Sequence, residues 1–176
     1  MNLRTSLDRL EQFAARCGVP VVRNALVAGV LGRVEDRRIV LRSGLSLEQQ
    51  LLTLVHELTH LIVHCHVIQP INRTVCEYEA EAVEKWVGAA LQVTPSAVED
   101  LDASLLTEDL LAGSVVRVRR AAHTLLRVAR GGDLALKPQN LQSQAAVKID
   151  ASAREEIVLH DELHGVRDFV GLAQSL

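Results

Sequence analysis

Apolar residues recur at helical spacing along the N-terminal stretch. Leu3, Leu7, Leu10, Phe13 or Ala14, and Cys17 fall on one face over residues 2–17, and Gly18 and Pro20 close the run. Val19 to Arg23 then reads as a short strand, and Gly29 to Gly32 as a turn region. Arg38-Ile39-Val40-Leu41-Arg42 is a short apolar run flanked by charge, the mark of a strand at or near a sheet edge. Such a strand can hold an extended peptide by adding it to the sheet, and it can equally be an ordinary edge. Ser43-Gly44 breaks it, and Ser46 with Gln49 three residues on forms a capping-box pattern that opens a helix reaching about His64 or His66.

After a loop at Gln69-Pro70-Ile71-Asn72 the helical period returns from about Arg73 to Leu91. Val75, Cys76, Glu79, Val83, Trp86, Val87 and Ala90 lie on one broad face, while Glu77, Glu81 and Glu84 fall towards the other side, where water can solvate them. Helix starts follow at Thr94-Pro95 and Thr107-Glu108, and a further helix runs from Val115 to Arg130. Gly131-Gly132-Asp133 ends it, and the polar stretch from Lys137 to Gln144, with Pro138, reads as a linker.

Composition narrows this picture. A chain of 176 residues suits one domain with a small appendage. Its aromatic residues are only Phe13, Tyr78, Trp86 and Phe169, so the core is built from Leu, Val, Ile and Ala, which favours helices. A net charge of −3 argues against a protein that works by gripping nucleic-acid phosphates. Arg4, Asp8, Arg9 and Glu11 interrupt the N-terminus, so no signal peptide is expected, and no apolar run is long enough to span a membrane. Three cysteines, Cys17, Cys65 and Cys76, form an odd, sparse set that fits a reducing cytoplasm better than a disulfide scaffold.

Chemistry enters with His56-Glu57-Leu58-Thr59-His60, an H-E-x-x-H pattern inside an otherwise apolar helix. Residues four apart on a helix project from one face, so two imidazoles can converge on one cation. Glu57 points about 100° round from His56, beside the metal rather than on it, where it can act as general base towards water. Placing these groups among Leu54, Val55, Leu58, Leu61 and Ile62 costs burial energy unless something satisfies them, and a zinc ion would. The same reasoning applies to Glu79, an acidic residue centred on an apolar stripe. Its partner is expected to be the zinc; the alternative is an arginine, either Arg73 or one from a later helix.

The order of a short helix, two strands, an H-E-x-x-H helix and then Glu77-Tyr78-Glu79-Ala80 on a following helix resembles the ImmA/IrrE-type metallopeptidases of the zincin class, over about residues 1–95. The resemblance implies zinc on His56, His60 and Glu79, with Glu57 as the catalytic residue. It departs from the family pattern in having Glu81 and Val83 where an asparagine and an aromatic are usual, and Leu91-Gln92-Val93-Thr94-Pro95 at the helix end.

The expected fold is α+β, a mostly helical zincin-like domain with a small N-terminal sheet before the H-E-x-x-H helix. Residues 1–130 would form that domain and residues 131–176 a C-terminal extension. The expected function is that of a zinc-dependent intracellular peptidase, cutting a protein by Glu57-assisted attack of metal-bound water. The likeness implies a transcriptional repressor of the helix-turn-helix type as substrate, on a separate chain. The alternative is a zincin-like metal-binding interaction module, regulatory or part of a toxin or antirestriction system, with little turnover. Neither a membrane nor direct nucleic-acid binding is expected.

Other histidines are weighed against these. His66 lies ten residues after His56, but Val63 stands where a glycine turn would be needed to bring it to the metal. His64 continues the i, i+4 series and can orient a neighbour or simply end the helix. Tyr78, His64 and His123 are candidates for polarising a substrate carbonyl. Arg117, Arg119, Arg120, Arg127 and Arg130 give the last long helix a basic face, read mainly as solvated. His160-Asp161-Glu162-Leu163-His164 has its glutamate in neither zincin position and reads as a surface helix.

Overall fold

A computed structural model describes residues 2–64, 73–94 and 108–132, with the side chains of 108–112 excepted. The element order is α1 (Leu3–Arg16), β1 (Val21–Asn24), β2 (Gly32–Glu35), β3 (Arg38–Arg42), α2 (Leu47–Thr59), a π-helical turn (His60–His64), α3 (Arg73–Leu91) and α4 (Glu108–Ala129). The architecture is therefore α+β and mostly helical, with one small sheet ahead of the long helices. Expectations concerning Cys65, His66, the 69–72 loop, residues 95–107 and the extension from 133 onwards lie outside the described residues.

The amphipathic stripe of α1 buries Leu7, Leu10, Phe13 and Ala14. At its end Gly18 adopts φ +76, and the N–H groups of Gly18 and Val19 turn back to the carbonyls of Ala15 and Ala14. Only glycine takes that left-handed conformation cheaply, which is why the helix stops there.

The sheet has the order β1-β3-β2, with β1 parallel and β2 antiparallel to β3. This corrects the reading of Arg38–Arg42 as an edge strand. It is the central strand, and Ile39, Val40 and Leu41 are all fully buried. An apolar run without alternation marks a strand covered on both faces, and the flanking arginines mark only its ends. The missing partner is β2, Gly-Arg-Val-Glu, whose middle residues are exposed and which carries no apolar run of its own. Its pairing comes from a tight hairpin in which Asp36 and Arg37 both take positive φ, +46 and +58, the backbone twist that a two-residue turn requires.

Helix α2 lies at the centre. Ser46 caps it as the sequence pattern predicts: the Gln49 N–H donates to Ser46 Oγ at 3.2 Å, and the Ser46 N–H donates to Gln49 Oε1 at 3.0 Å. Leu51, Leu54, Val55 and Leu58 are buried, as are Leu52, Thr53 and Glu57 on other sides, because α1, β2, β3 and α3 all pack round it. The chain then widens into the π turn, a geometry found mostly as single turns near functional sites. Helix α3 packs against α2 on one side and α4 on the other, so it has two covered faces rather than one. No helix among the described residues is long and apolar enough to cross a membrane.

Candidate metal centre

The i, i+4 spacing on α2 brings His56 and His60 together, with their Nε2 atoms 3.1 Å apart. Glu77, from the second turn of α3, closes the set: its Oε2 lies 3.4 Å from His56 Nε2 and 3.5 Å from His60 Nε2. Two imidazoles and one carboxylate thus form a near-equilateral triangle of donor atoms, and this group could hold a metal ion.

The fit can be tested by geometry. A tetrahedral ion with bonds of about 2.0–2.1 Å to its ligands places their donor atoms about 3.3–3.4 Å apart. The three separations here bracket that value. Two nitrogens and one oxygen also match the donor set of an open zinc site, in which a fourth position is left for water or substrate. Residues so placed fit a metal ion with these bond lengths, zinc among them.

Glu79, the expected third ligand, is not in this group. Residues two apart on an α-helix point about 200° apart, so Glu77 and Glu79 face opposite sides of α3. Glu77 turns towards α2, and Glu79, only 1 % exposed, turns towards α4 and the π turn. There the Glu79 carboxylate accepts from Arg117 (Nε to Oε1 2.9 Å, Nη2 to Oε1 2.5 Å), from Ser114 Oγ at 2.6 Å and from His64 Nε2 at 2.9 Å. A buried carboxylate does need partners, and here they are the arginine of a later helix, Arg117, together with Ser114 and His64. The face holding Glu77 was expected to be solvated because the helical wheel assumes a single buried side. On α3 the Glu77 side meets the histidines of α2.

Glu84, two turns after Glu77 on the same face, approaches His56 Nδ1 at 3.2 Å. A carboxylate on the far nitrogen of a coordinating imidazole fixes its tautomer and raises its basicity. Sequence reasoning missed Glu84, although its i+7 spacing from Glu77 is a usable signal.

The electrostatics follow from this crowding. Burial lowers the proton affinity of His56, but Glu77 and Glu84 outweigh it and push its pKa up to about 10. Hydrogen bonds from His56 and His60 hold Glu77 well below the usual carboxylate range, against the effect of burial. The carboxylates of Glu77 and Glu84 beside the two imidazoles thus favour positive charge at this point, and a metal ion bound there would compete with protons for the same nitrogens. Burial raises Glu79 as well, but His64, Arg117 and Ser114 reverse this and bring it down to about 2.

Glu57 is 8 % exposed. Burial pushes its carboxyl above the ordinary value, the His56 and His60 charges pull it back only in part, and Glu77 pushes it up again. A carboxylate tuned upward is better matched to proton transfer near neutrality than a solvated one.

Strand β2 passes closely over this residue. A Cβ built on Gly32 would lie 2.5 Å from Thr53 Cγ2 and 3.2 Å from Glu57 Oε1. Replacing Gly32 by valine should therefore push the Glu57 carboxylate aside. If the assigned role of Glu57 is correct, hydrolysis falls at least tenfold while metal content, measured by elemental analysis, stays at the wild-type level; unchanged turnover would contradict it.

Of the remaining candidates, His123 does not face the triangle. Its ring stacks edge-on against Trp86 at 6.0 Å, in a separate hollow of about 930 Å³ lined also by Thr124, Arg127 and Arg130. Tyr78 is half-buried on α3, and burial raises its phenol pKa. His64 is engaged by His60 and Glu79.

No curated protein and no solved structure matches the chain significantly. A family model does: that of the IrrE N-terminal-like domain, Peptidase_M78, over residues 14–118, more than half of the chain. The match runs from within α1 to within α4 and takes in the sheet, both histidines, Glu57 and Glu77. The chain belongs to the IrrE N-terminal-like family of zincin-like metallopeptidases.

Proposed function

We propose that this protein is a zinc-dependent peptidase of the cytoplasm that hydrolyses a bond within a protein substrate, with His56, His60 and Glu77 holding the metal. The observation that carries the reading is the triangle of donor atoms at tetrahedral spacing with a buried, upward-tuned carboxylate next to it on the same helix.

Zinc, when bound, supplies Lewis-acid chemistry, polarising a carbonyl and lowering the pKa of water to roughly 7. The side chains do the rest. Glu57 accepts a proton from the attacking water at its carboxylate and delivers it to the leaving amine, so one residue serves as base and then as acid. Its neighbours Thr53 and Gly32 restrict where that carboxylate can lie. Glu84 holds the His56 ring through Nδ1, leaving Nε2 free for the ion. Strand β2, at the edge of the sheet and beside Glu57, supplies backbone groups that an extended peptide can pair with, the role first considered for Arg38–Arg42.

For the substrate we infer a helix-turn-helix repressor on a separate chain, a reading that rests on family likeness. Incubating the zinc-loaded protein with purified repressors from the same cell, followed by mass spectrometry of new termini, should give a discrete cut that a chelator suppresses. Cleavage that persists after the metal is stripped would count against the mechanism. Complete resistance of every repressor tried would count against the substrate assignment.

A further inference from the structure

The hydrogen bonds around Glu79 do not end at His64. His64 Nδ1 lies 3.1 Å from His60 Nδ1, and His64 Nε2 lies 2.9 Å from Glu79 Oε2. Beyond Glu79 stand Ser114 and Arg117 of α4. A continuous line of polar contacts therefore joins α4 to one imidazole of the metal centre, through residues of three elements: the π turn, α3 and α4.

With the metal on His60 Nε2, the proton inventory of this line has one solution. His60 Nε2 spends its lone pair on the ion, so His60 carries its proton on Nδ1 and must donate it. The acceptor within reach is His64 Nδ1, which must then be unprotonated. His64 consequently carries its proton on Nε2 and donates to Glu79, an acceptor kept ionised by Arg117 and Ser114. Every atom in the line has a compatible role. The charge at the far end polarises each bond before it and holds the His60 ring in the orientation that turns Nε2 towards the ion.

We propose that His64 is a positioning residue: it relays the negative charge of Glu79 to His60, so that α4 helps to set the orientation and strength of a metal ligand. The inference rests on the metal reading above and deepens it. It also gives the π turn a purpose, since His60 and His64 are its first and last residues and the turn sets their mutual placement. His56 has its own carboxylate in direct contact, Glu84. On its own Nδ1 side His60 has one at second hand, and both rings are held there by anions of α3.

The test measures zinc affinity by competition with a chromophoric chelator, for the wild type and for His64→Leu, His64→Gln and His56→Ala. His64→Leu should weaken zinc binding by about 10–100-fold, the range for loss of an outer-shell partner. His64→Gln, whose amide can both accept from His60 and donate to Glu79, should recover much of that loss, which a mere packing role would not predict. Ring nitrogen NMR of the zinc-loaded wild type, which depends on no variant folding, should find His64 protonated at Nε2 and His60 at Nδ1. His64 protonated at Nδ1, or a folded His64→Leu that binds zinc as tightly as wild type, would overturn the relay. If His56→Ala nonetheless loses zinc in that case, the metal centre stands without it. Zinc binding unaffected by His56→Ala would overturn the centre and the relay together.

Discussion

Replacing Glu57 by glutamine should lower peptide hydrolysis by about 10²–10⁴-fold, the usual contribution of a positioned general acid–base, while leaving the metal bound. Glutamine matches glutamate in size, so the space between Thr53 and Gly32 stays filled and α2 keeps its packing. What is lost is the ability to take and return a proton. The metal should remain because Glu57 is not one of the three residues whose donor atoms form the triangle. The measurement is turnover of a cleaved substrate beside zinc stoichiometry on the same preparation. Full activity in the variant would remove Glu57 from the mechanism, and loss of zinc would make it a ligand.

The second large effect separates two glutamates two residues apart. Glu77→Gln should reduce zinc affinity by more than the roughly 10–100-fold expected of an outer-shell change, because it removes a charged donor from the ion itself. The metal-free fold should hardly notice, since Glu77 is partly exposed and its partners are the two histidines and the exposed Arg73. Glu79→Gln should do the opposite. It leaves Arg117 without its charge partner in a buried setting and should cost about 1–3 kcal/mol of stability, less than for a fully buried pair because Arg117 is 43 % exposed. Its effect on zinc should be the smaller one, transmitted through His64. Chelator competition and thermal unfolding of both variants, run together, distinguish the roles. A reversal, with Glu79→Gln losing the metal and Glu77→Gln losing stability, would restore the ligand set first expected.

Much of this fold is legible in the order of residues. The stripe Leu3, Leu7, Leu10, Phe13 defines α1, the Ser46–Gln49 pair announces α2, and the spacing of His56 and His60 puts both rings on one side. These signals are local, carried by periodicity and capping within a few residues. The hidden features depend on what lies next to an element. Gly32–Glu35 has no pattern of its own and becomes a strand because β3 is beside it and the Asp36-Arg37 turn sends it there. Arg38–Arg42 is central for the same reason.

The choice between Glu77 and Glu79 is of this kind. Both belong to the same E-x-E-A stretch, and a wheel correctly identifies Glu79 as buried. Burial, however, says only that a carboxylate has a partner, not which one. Arg117 lies 38 residues further on and reaches Glu79 because α4 packs against α3. The side of α3 that seems open in isolation is the one α2 covers, and Glu77 meets the histidines there.

The most direct measurement of the central claim is the position of the ion itself, from anomalous diffraction at the zinc edge on crystals of the metal-loaded protein. A single peak about 2 Å from His56 Nε2, His60 Nε2 and a carboxylate oxygen of Glu77 is the predicted result. A peak bound by Glu79 in place of Glu77, or no peak between the two histidines, would contradict it.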